Sequence, residues 1–169
     1  MGNCFVQPRS PVKQLGTSPT PSVASTASPS TYACPVAPEF VASGQDNSKM
    51  GLNVVFGPES FVVLHPLSGL VLAGVCRVSP RELALSTPDG QVIGAISTLK
   101  SGALQFRHQQ GYRWKATTTE DRKIKITEQS SDVEICLISN NEFVGPVRRG
   151  TDLVIVCALS SAIAFNSHN

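Results

Sequence analysis

Two residues at the start of the chain, MGNCFV, can carry lipid. Removal of Met1 leaves Gly2 as an amino-terminal glycine, the acceptor of a myristoyl chain, and the thiol of Cys4 can take a palmitoyl chain. The usual myristoylation pattern has Ser or Thr at the sixth position, where this chain has Val6, so an unmodified N-terminus is the alternative. One myristoyl chain gives only marginal membrane binding, and stable attachment needs a second signal.

A second set of residues can bind phosphate groups. Three consecutive apolar segments carry cations at alternate positions, opposite in direction to their apolar residues. These cations are Arg107, Arg113, Lys115, Lys123 and Lys125. Alternate residues of neighbouring strands share one face of a sheet, so these cations are predicted to form one basic face. Arg would hold phosphate as a planar fork and Lys as a point charge. The alternative is an ordinary solvated exterior. Acidic counterions close by in the sequence are Glu120, Asp121, Glu128 and Glu134.

No residues form a recognisable catalytic or metal-binding pattern in the sequence. Among the three histidines, His108 falls on the inward side of its segment, where a hydrogen-bonded core histidine is expected. The five cysteines are scattered, without a C-x-x-C pair or histidines at metal-ligand spacing. We see no nucleophile motif, phosphate-binding loop or paired carboxylates. The sequence therefore predicts no enzyme, no metal and no cofactor.

The composition is typical of one globular domain with a tail. Of the 169 residues, 41% are hydrophobic and only 15% are charged, which is below the usual quarter. A formal net charge of +2 is small for a nucleic-acid-binding face, so nucleic acid is not expected as a partner. The first residues have neither the basic start nor the apolar run of a secretory signal, so we expect a cytoplasmic protein with reduced thiols.

Residues 1–50 differ from the rest of the chain. Seven of the twelve prolines lie before residue 39, and the segment consists largely of Ser, Thr, Pro and Ala. Such a segment cannot bury enough apolar surface to offset the entropy lost on ordering, so 1–50 is predicted to be a disordered tail. Residues 51–169 are predicted to form the folded domain.

The domain is patterned as short strands. Ten apolar segments separated by turn residues recur at intervals of about 8 to 12 positions, which is typical of an all-β domain. Between the fourth and fifth segments, Pro88-Asp89-Gly90 predicts a hairpin turn, and the simplest topology is an antiparallel meander. Alternation along the later segments predicts one inward face. Its members are Leu104, Phe106, Tyr112, Trp114, Ile124, Ile126, Val133, Ile135 and Leu137.

The final run, TDLVIVCALSSAIAFN, is predicted to be a helix from Asp152 to Phe165, with Thr151 or Asp152 capping its start. A helix of these 14 residues is about 21 Å long, which is short of the roughly 30 Å hydrocarbon core of a bilayer. It is apolar on nearly all sides, so we expect it to be buried all round. In an all-β domain this means that the meander closes into a barrel around the helix.

The segments LALSTPDGQVIGAIS and LVIVCALSSAIAF resemble the tubby C-terminal-like group, which includes tubby proteins, phospholipid scramblases and plant LURP-one-related proteins. The resemblance covers about residues 52–166. It implies a β-barrel around a hydrophobic helix, in a non-enzymatic domain that works at membranes or with protein partners. Tubby domains bind phosphoinositide headgroups through basic residues outside the barrel. The tail lacks the cysteine cluster of scramblases and the domain lacks an acidic loop like theirs, so scramblase activity is not implied.

These observations support two alternative functions. The first is a membrane-tethered module that binds an anionic membrane surface or phosphoinositide through the five cations. Gly2 and Cys4 would hold it at the cytoplasmic side of the plasma membrane or an endomembrane. The second is a soluble protein-interaction or structural domain with an unmodified N-terminus.

Overall fold

The computed structural model describes residues 35–44 and 51–167, and within them the chain is mainly β. Ten antiparallel strands form one sheet and a single α-helix follows them, which confirms the predicted fold class. The strands are β1 (Asn53–Phe56), β2 (Ser60–Leu64), β3 (Val71–Ser79), β4 (Glu82–Ser86), β5 (Val92–Thr98), β6 (Leu104–His108), β7 (Arg113–Thr118), β8 (Ile124–Glu128), β9 (Glu134–Ser139) and β10 (Glu142–Phe143). The helix, α1, is Leu153–Ser167, and a short 3₁₀ turn, Pro38–Phe40, lies near the start of the described chain.

The strands follow one another in the sheet in the order of the sequence, so the predicted meander is confirmed. The β4–β5 connection is the hairpin predicted at Pro88-Asp89-Gly90. Gly90 has a φ of 87°, a conformation that suits glycine, and its N–H donates to the carbonyl of Thr87 at 3.0 Å. The Thr87 N–H in turn donates to the carbonyl of Gln91 at 2.8 Å and joins the two strands.

Hydrogen bonds do not close this sheet within the described residues. Its edges are β1 and β10, which pair with β2 and β9 but not with each other. The sheet nevertheless curves around the helix, since α1 contacts the neighbouring strands β2 and β3 and also β6, which lies three strands beyond β3. Because β10 has only two residues, it offers little backbone with which to form a closing ladder.

Helix α1 is the centre of the core. Asp152 caps it, as predicted, because Oδ1 accepts hydrogen bonds from the N–H groups of Val154 at 2.9 Å and Ile155 at 3.3 Å. The helix has no polar face, and nine of its residues are buried. They are Val154, Ile155, Val156, Cys157, Ala158, Leu159, Ser160, Ala162 and Phe165. No helix in the described part of the chain is both long and apolar enough to cross a bilayer.

The predicted inward face is largely correct. Five of its members are buried: Leu104, Phe106, Trp114, Ile126 and Ile135. Tyr112 and Ile124 are partly buried and pack against the core.

The predicted inward face is wrong at β9 and the residue before it, since Val133 is 47% exposed and Leu137 is only partly buried. Ile126 pairs with Cys136 whereas Thr127 pairs with Glu134, so Ile135 is an extra residue in the ladder. This β-bulge shifts the alternation by one position and turns Cys136 and Ile138 inward.

Residues 35–44 contact the domain, although the sequence places them in the tail. Ala37 and Ala42 belong to the core, and the N–H of Val36 donates to Oδ2 of Asp152 at 2.7 Å. The N–H of Ala42 donates to the carbonyl of Thr151 at 2.8 Å. Alternation in the sequence could not indicate this segment, because irregular backbone rather than a helix or strand places its two alanines in the core. The remainder of the predicted tail lies outside the described residues.

A charge placed on α1 tests how completely the sheet covers it. Replacing Ala158, which is fully buried, with Asp should cost about 3–5 kcal/mol of unfolding free energy, because no cation is available there. Ala164→Asp is the matched control, since Ala164 is exposed on the same helix. Urea unfolding followed by Trp114 fluorescence measures both. Equal stability of the two variants would contradict the central position of α1.

Candidate phosphate-binding face

Two arginines are cross-strand neighbours on the outer face of the sheet. Arg107 on β6 is directly opposite Arg113 on β7, and both residues are exposed. Among residues 35–44 and 51–167, neither forms an ion pair with a carboxylate. Like charges directly opposite each other destabilise an antiparallel pair, so sheet stability does not explain this arrangement. A bound anion would offset the repulsion.

Lys115 extends the cationic surface along β7. It is two residues from Arg113 and therefore on the same face, opposite Gln105 on β6 and Thr127 on β8. Lys115 also makes no ion pair with any of the described residues. The three cations Arg107, Arg113 and Lys115 are called the open basic cluster below.

The two remaining predicted cations have acidic neighbours. Nζ of Lys123 is 3.5 Å from Oδ2 of Asp121, and Nζ of Lys125 is 3.4 Å from Oε2 of Glu134. Such exposed pairs contribute little to stability, but they reduce the charge available to a ligand. The structure therefore places the five predicted residues on one outer face and divides them into an open cluster and a paired one.

A shallow cavity of about 350 Å³ lies beside the two arginines. Its lining includes Arg107, Arg113, Gly94 and Gly111. A Cβ atom at Gly94 would lie 2.7 Å from Cε2 of Phe106, so glycine keeps the wall of this cavity close to the core aromatic ring. The cavity could hold an anion between the guanidinium groups and the backbone of the β6–β7 turn.

His108 also lines this cavity, but its hydrogen bonds are typical of a core residue, as predicted. It is buried, its ring stacks on Tyr112 with centroids 4.3 Å apart, and Nδ1 accepts a hydrogen bond from the N–H of Gln110 at 3.0 Å. Burial lowers the pKa of His108 below its usual 6.5. The imidazole is therefore neutral near pH 7 and adds no charge to the open basic cluster.

Two cysteine thiols in the described residues, those of Cys136 and Cys157, are buried. No group of three or more His, Cys, Asp or Glu side chains there is placed to hold a metal ion. Burial raises the pKa of the Cys136 thiol to about 12 and that of the Cys157 thiol to about 11, which disfavours the nucleophilic thiolate. Gly2 and Cys4, the predicted lipidation residues, lie outside the described residues.

No protein-family model matches the chain, and no curated protein matches it. Among solved structures, an X-ray structure of a protein from Arabidopsis thaliana is similar, with a TM-score of 0.46 and 13% sequence identity. The match covers 82% of this chain and 99% of the Arabidopsis chain. The similarity concerns the fold alone.

The sequence did not reveal that Arg107 and Arg113 are directly opposite. Their register depends on the turn between them, where Gly111 has a φ of 95° and its N–H donates to the carbonyl of His108 at 3.0 Å. The Gln109-Gln110-Gly111 stretch was the available signal, because a glycine at this point of a short hairpin loop sets which residues pair.

His108 should make stability depend on pH. Its folded-state pKa is lowered, so the unfolded chain binds the proton more readily; the stabilising contribution is present above about pH 6.5 and is lost as the pH falls through the folded-state pKa. In His108→Asn the amide oxygen can still accept the Gln110 N–H but does not titrate. The stability difference between parent and variant should therefore shrink between pH 7.5 and about 5. If the difference in unfolding free energy between parent and variant is the same at every pH in this range, His108 does not have a lowered pKa in the folded state.

Proposed function

We propose that this protein is a non-enzymatic module that binds the phosphate groups of anionic lipids, phosphoinositides in particular, through its basic outer face. The supporting observation is that Arg107 and Arg113 are directly opposite each other on neighbouring strands. Neither forms an ion pair with a carboxylate of residues 35–44 or 51–167. Each guanidinium can donate two parallel N–H bonds to one phosphate, and Lys115 adds a point charge beside them. A headgroup with several phosphates suits this cluster best, because it presents more anionic oxygens to neighbouring cations.

The magnitude of this attraction indicates why a tether is needed. A cation near an anionic membrane contributes about 1 kcal/mol, so the three cations of the open basic cluster supply about 3 kcal/mol. A dissociation constant of 1 mM corresponds to about 4 kcal/mol, so this cluster alone binds weakly. A myristoyl chain alone is also marginal. Two weak attachments on one molecule bind far more strongly than either, since the second becomes intramolecular.

Acylation of Gly2 and Cys4 supplies that tether in our proposal. The protein would then be peripheral at the cytoplasmic side of the plasma membrane or an endomembrane, where anionic lipids are enriched. The competing function, a protein-interaction domain with an unmodified N-terminus, predicts neither acyl groups nor a preference for anionic vesicles. The two experiments below separate these functions.

Charge reversal at the paired arginines tests the basic face. Arg107→Glu with Arg113→Glu should weaken binding to phosphoinositide-containing vesicles, and the loss should be larger at low salt, because salt already screens the attraction. The matched control is Arg81→Glu with Lys100→Glu, which changes the net charge equally in the exposed β3–β4 and β5–β6 turns. Vesicle flotation at two salt concentrations measures both. Equal losses in the two double variants would mean that only net charge matters.

Gly2→Ala tests the tether. In eukaryotic cells it should move the protein from the membrane fraction to the soluble fraction, because myristoylation needs an amino-terminal glycine. Asn3→Ala, which keeps Gly2, is the control, and intact mass shows whether acyl groups are present. Unchanged membrane association of Gly2→Ala, or a parent mass without acyl groups, would exclude the acyl tether.

A further inference from the structure

The β2–β3 turn carries two leucines that nothing in the described chain covers. Leu67 is 92% exposed and Leu70 is 68% exposed, and Leu67 is the most exposed large apolar side chain of the described residues. The sequence from His65 to Leu72, HPLSGLVL, contains no Asp, Glu, Lys or Arg. We call residues 65–70 the leucine turn.

Hydrogen bonds within the leucine turn define its conformation. Nδ1 of His65 accepts hydrogen bonds from the N–H groups of Leu67 and Ser68, both at 3.2 Å. The N–H of Gly69 donates to the carbonyl of His65 at 3.0 Å, and that of Leu70 to Oγ of Ser68 at 3.4 Å. Every N–H group at the tip therefore has a partner within the turn. Paired N–H groups lower the cost of moving a loop into an apolar phase.

The turn lies at one particular end of the sheet. In an antiparallel meander, successive connections alternate between the two ends, so the β2–β3, β4–β5, β6–β7 and β8–β9 turns share an end. Val92 and Val133, which are 44% and 47% exposed, flank two of these turns. Arg107 and Arg113 flank the β6–β7 turn at the same end.

The chain that leads to the N-terminus leaves from this end as well. The ring of Phe40 contacts the ring of His65 with centroids 5.4 Å apart, and Val36 is bonded to Asp152 at the start of α1. The loop before α1 is at the same end, since the N–H of Arg148 donates to the carbonyl of Ile135, close to the β8–β9 turn. Pro35, the first described residue, therefore lies at the end of the sheet that carries the leucine turn, and Gly2 and Cys4 precede it in the sequence.

We propose that the leucine turn inserts into the interfacial region of a lipid bilayer and that this end of the sheet faces the membrane. Leu67 and Leu70 enter the boundary between headgroups and acyl chains, while Arg107 and Arg113 reach lipid phosphates at the same surface. A protein groove is the competing partner for exposed leucines. The bilayer fits better because the uncharged tip, the cations and the attachment point of an acylatable tail all lie at one end. The inference deepens the proposed function, on which it rests.

The test uses the full chain made in bacteria, where it carries no myristate, and vesicles of phosphatidylcholine with or without phosphatidylserine. Leu67→Ser with Leu70→Ser should lower partitioning about tenfold or more on both vesicle types, because burying one leucine side chain is worth more than a factor of ten. Val78→Ser is the control, since Val78 is 64% exposed near the β3–β4 turn at the opposite end. Both leucines are exposed, so unchanged thermal unfolding should show that the variant folds.

A direct measurement of depth accompanies the partitioning. In Leu67→Trp, brominated acyl chains should quench the new fluorescence, whereas in Val78→Trp they should not. Absence of quenching in Leu67→Trp, or unchanged partitioning of the double serine variant, overturns the proposal. Partitioning that falls only for Arg107→Glu with Arg113→Glu would support the phosphate-binding function and reject insertion. Partitioning that falls only for the leucine variants would support insertion and reject phosphate binding by the two arginines.

Discussion

The constraint on which the rest of the structure depends is that α1 has no polar face. The apolar side chains of such a helix need to be buried, and in this chain one ten-stranded sheet packs around it so that nine of its residues are buried while Ala164 stays exposed. Every second residue of the covering strands is therefore committed to the core, as Phe106, Trp114 and Ile126 show. The outward residues and the turns are not needed for the core and can contact other molecules. The basic face consists of outward residues, and the leucine turn is one of the turns.

Asp152 connects this core to the N-terminal part of the chain. Its carboxylate is buried and accepts N–H groups from Val36, Val154 and Ile155, so one side chain caps α1 and holds residues 35–44. Burial raises the pKa of Asp152 and outweighs the opposing effect of these three hydrogen bonds. Because Asp152 lies at the end of the sheet that carries the leucine turn, the same contact determines which end the N-terminal chain leaves from. The position of residues 35–44 thus follows from how the central helix begins.

On the outer face, the proposed phosphate binding and the stability of the sheet favour different arrangements of charge. Lys123 and Lys125 have carboxylate neighbours, an arrangement that is ordinary on a solvent-exposed surface. Arg107 and Arg113 face each other across a ladder, where opposite charges or apolar pairs would stabilise the sheet better. A local arrangement that works against stability is most easily explained by a ligand. The same reasoning applies to Leu67 and Leu70, whose exposure contributes nothing to folding.

The sequence by itself determined the ten strands, the hairpin at Pro88-Asp89-Gly90, the apolar helix with a cap at Thr151 or Asp152, and the position of the five cations on one face of the sheet. Short-range sequence patterns predict these features, namely the alternation of apolar residues, the turn residues and the capping residues. Only the tertiary structure decided the rest. The β9 bulge reverses parity without any sequence signal, and ion pairing divides the cations because Asp121 and Glu134 happen to be within reach. Residues 35–44 join the core through contacts with a loop more than a hundred positions away, and the turns share an end because of strand order. Such contacts link residues distant in sequence, so local periodicity does not encode them.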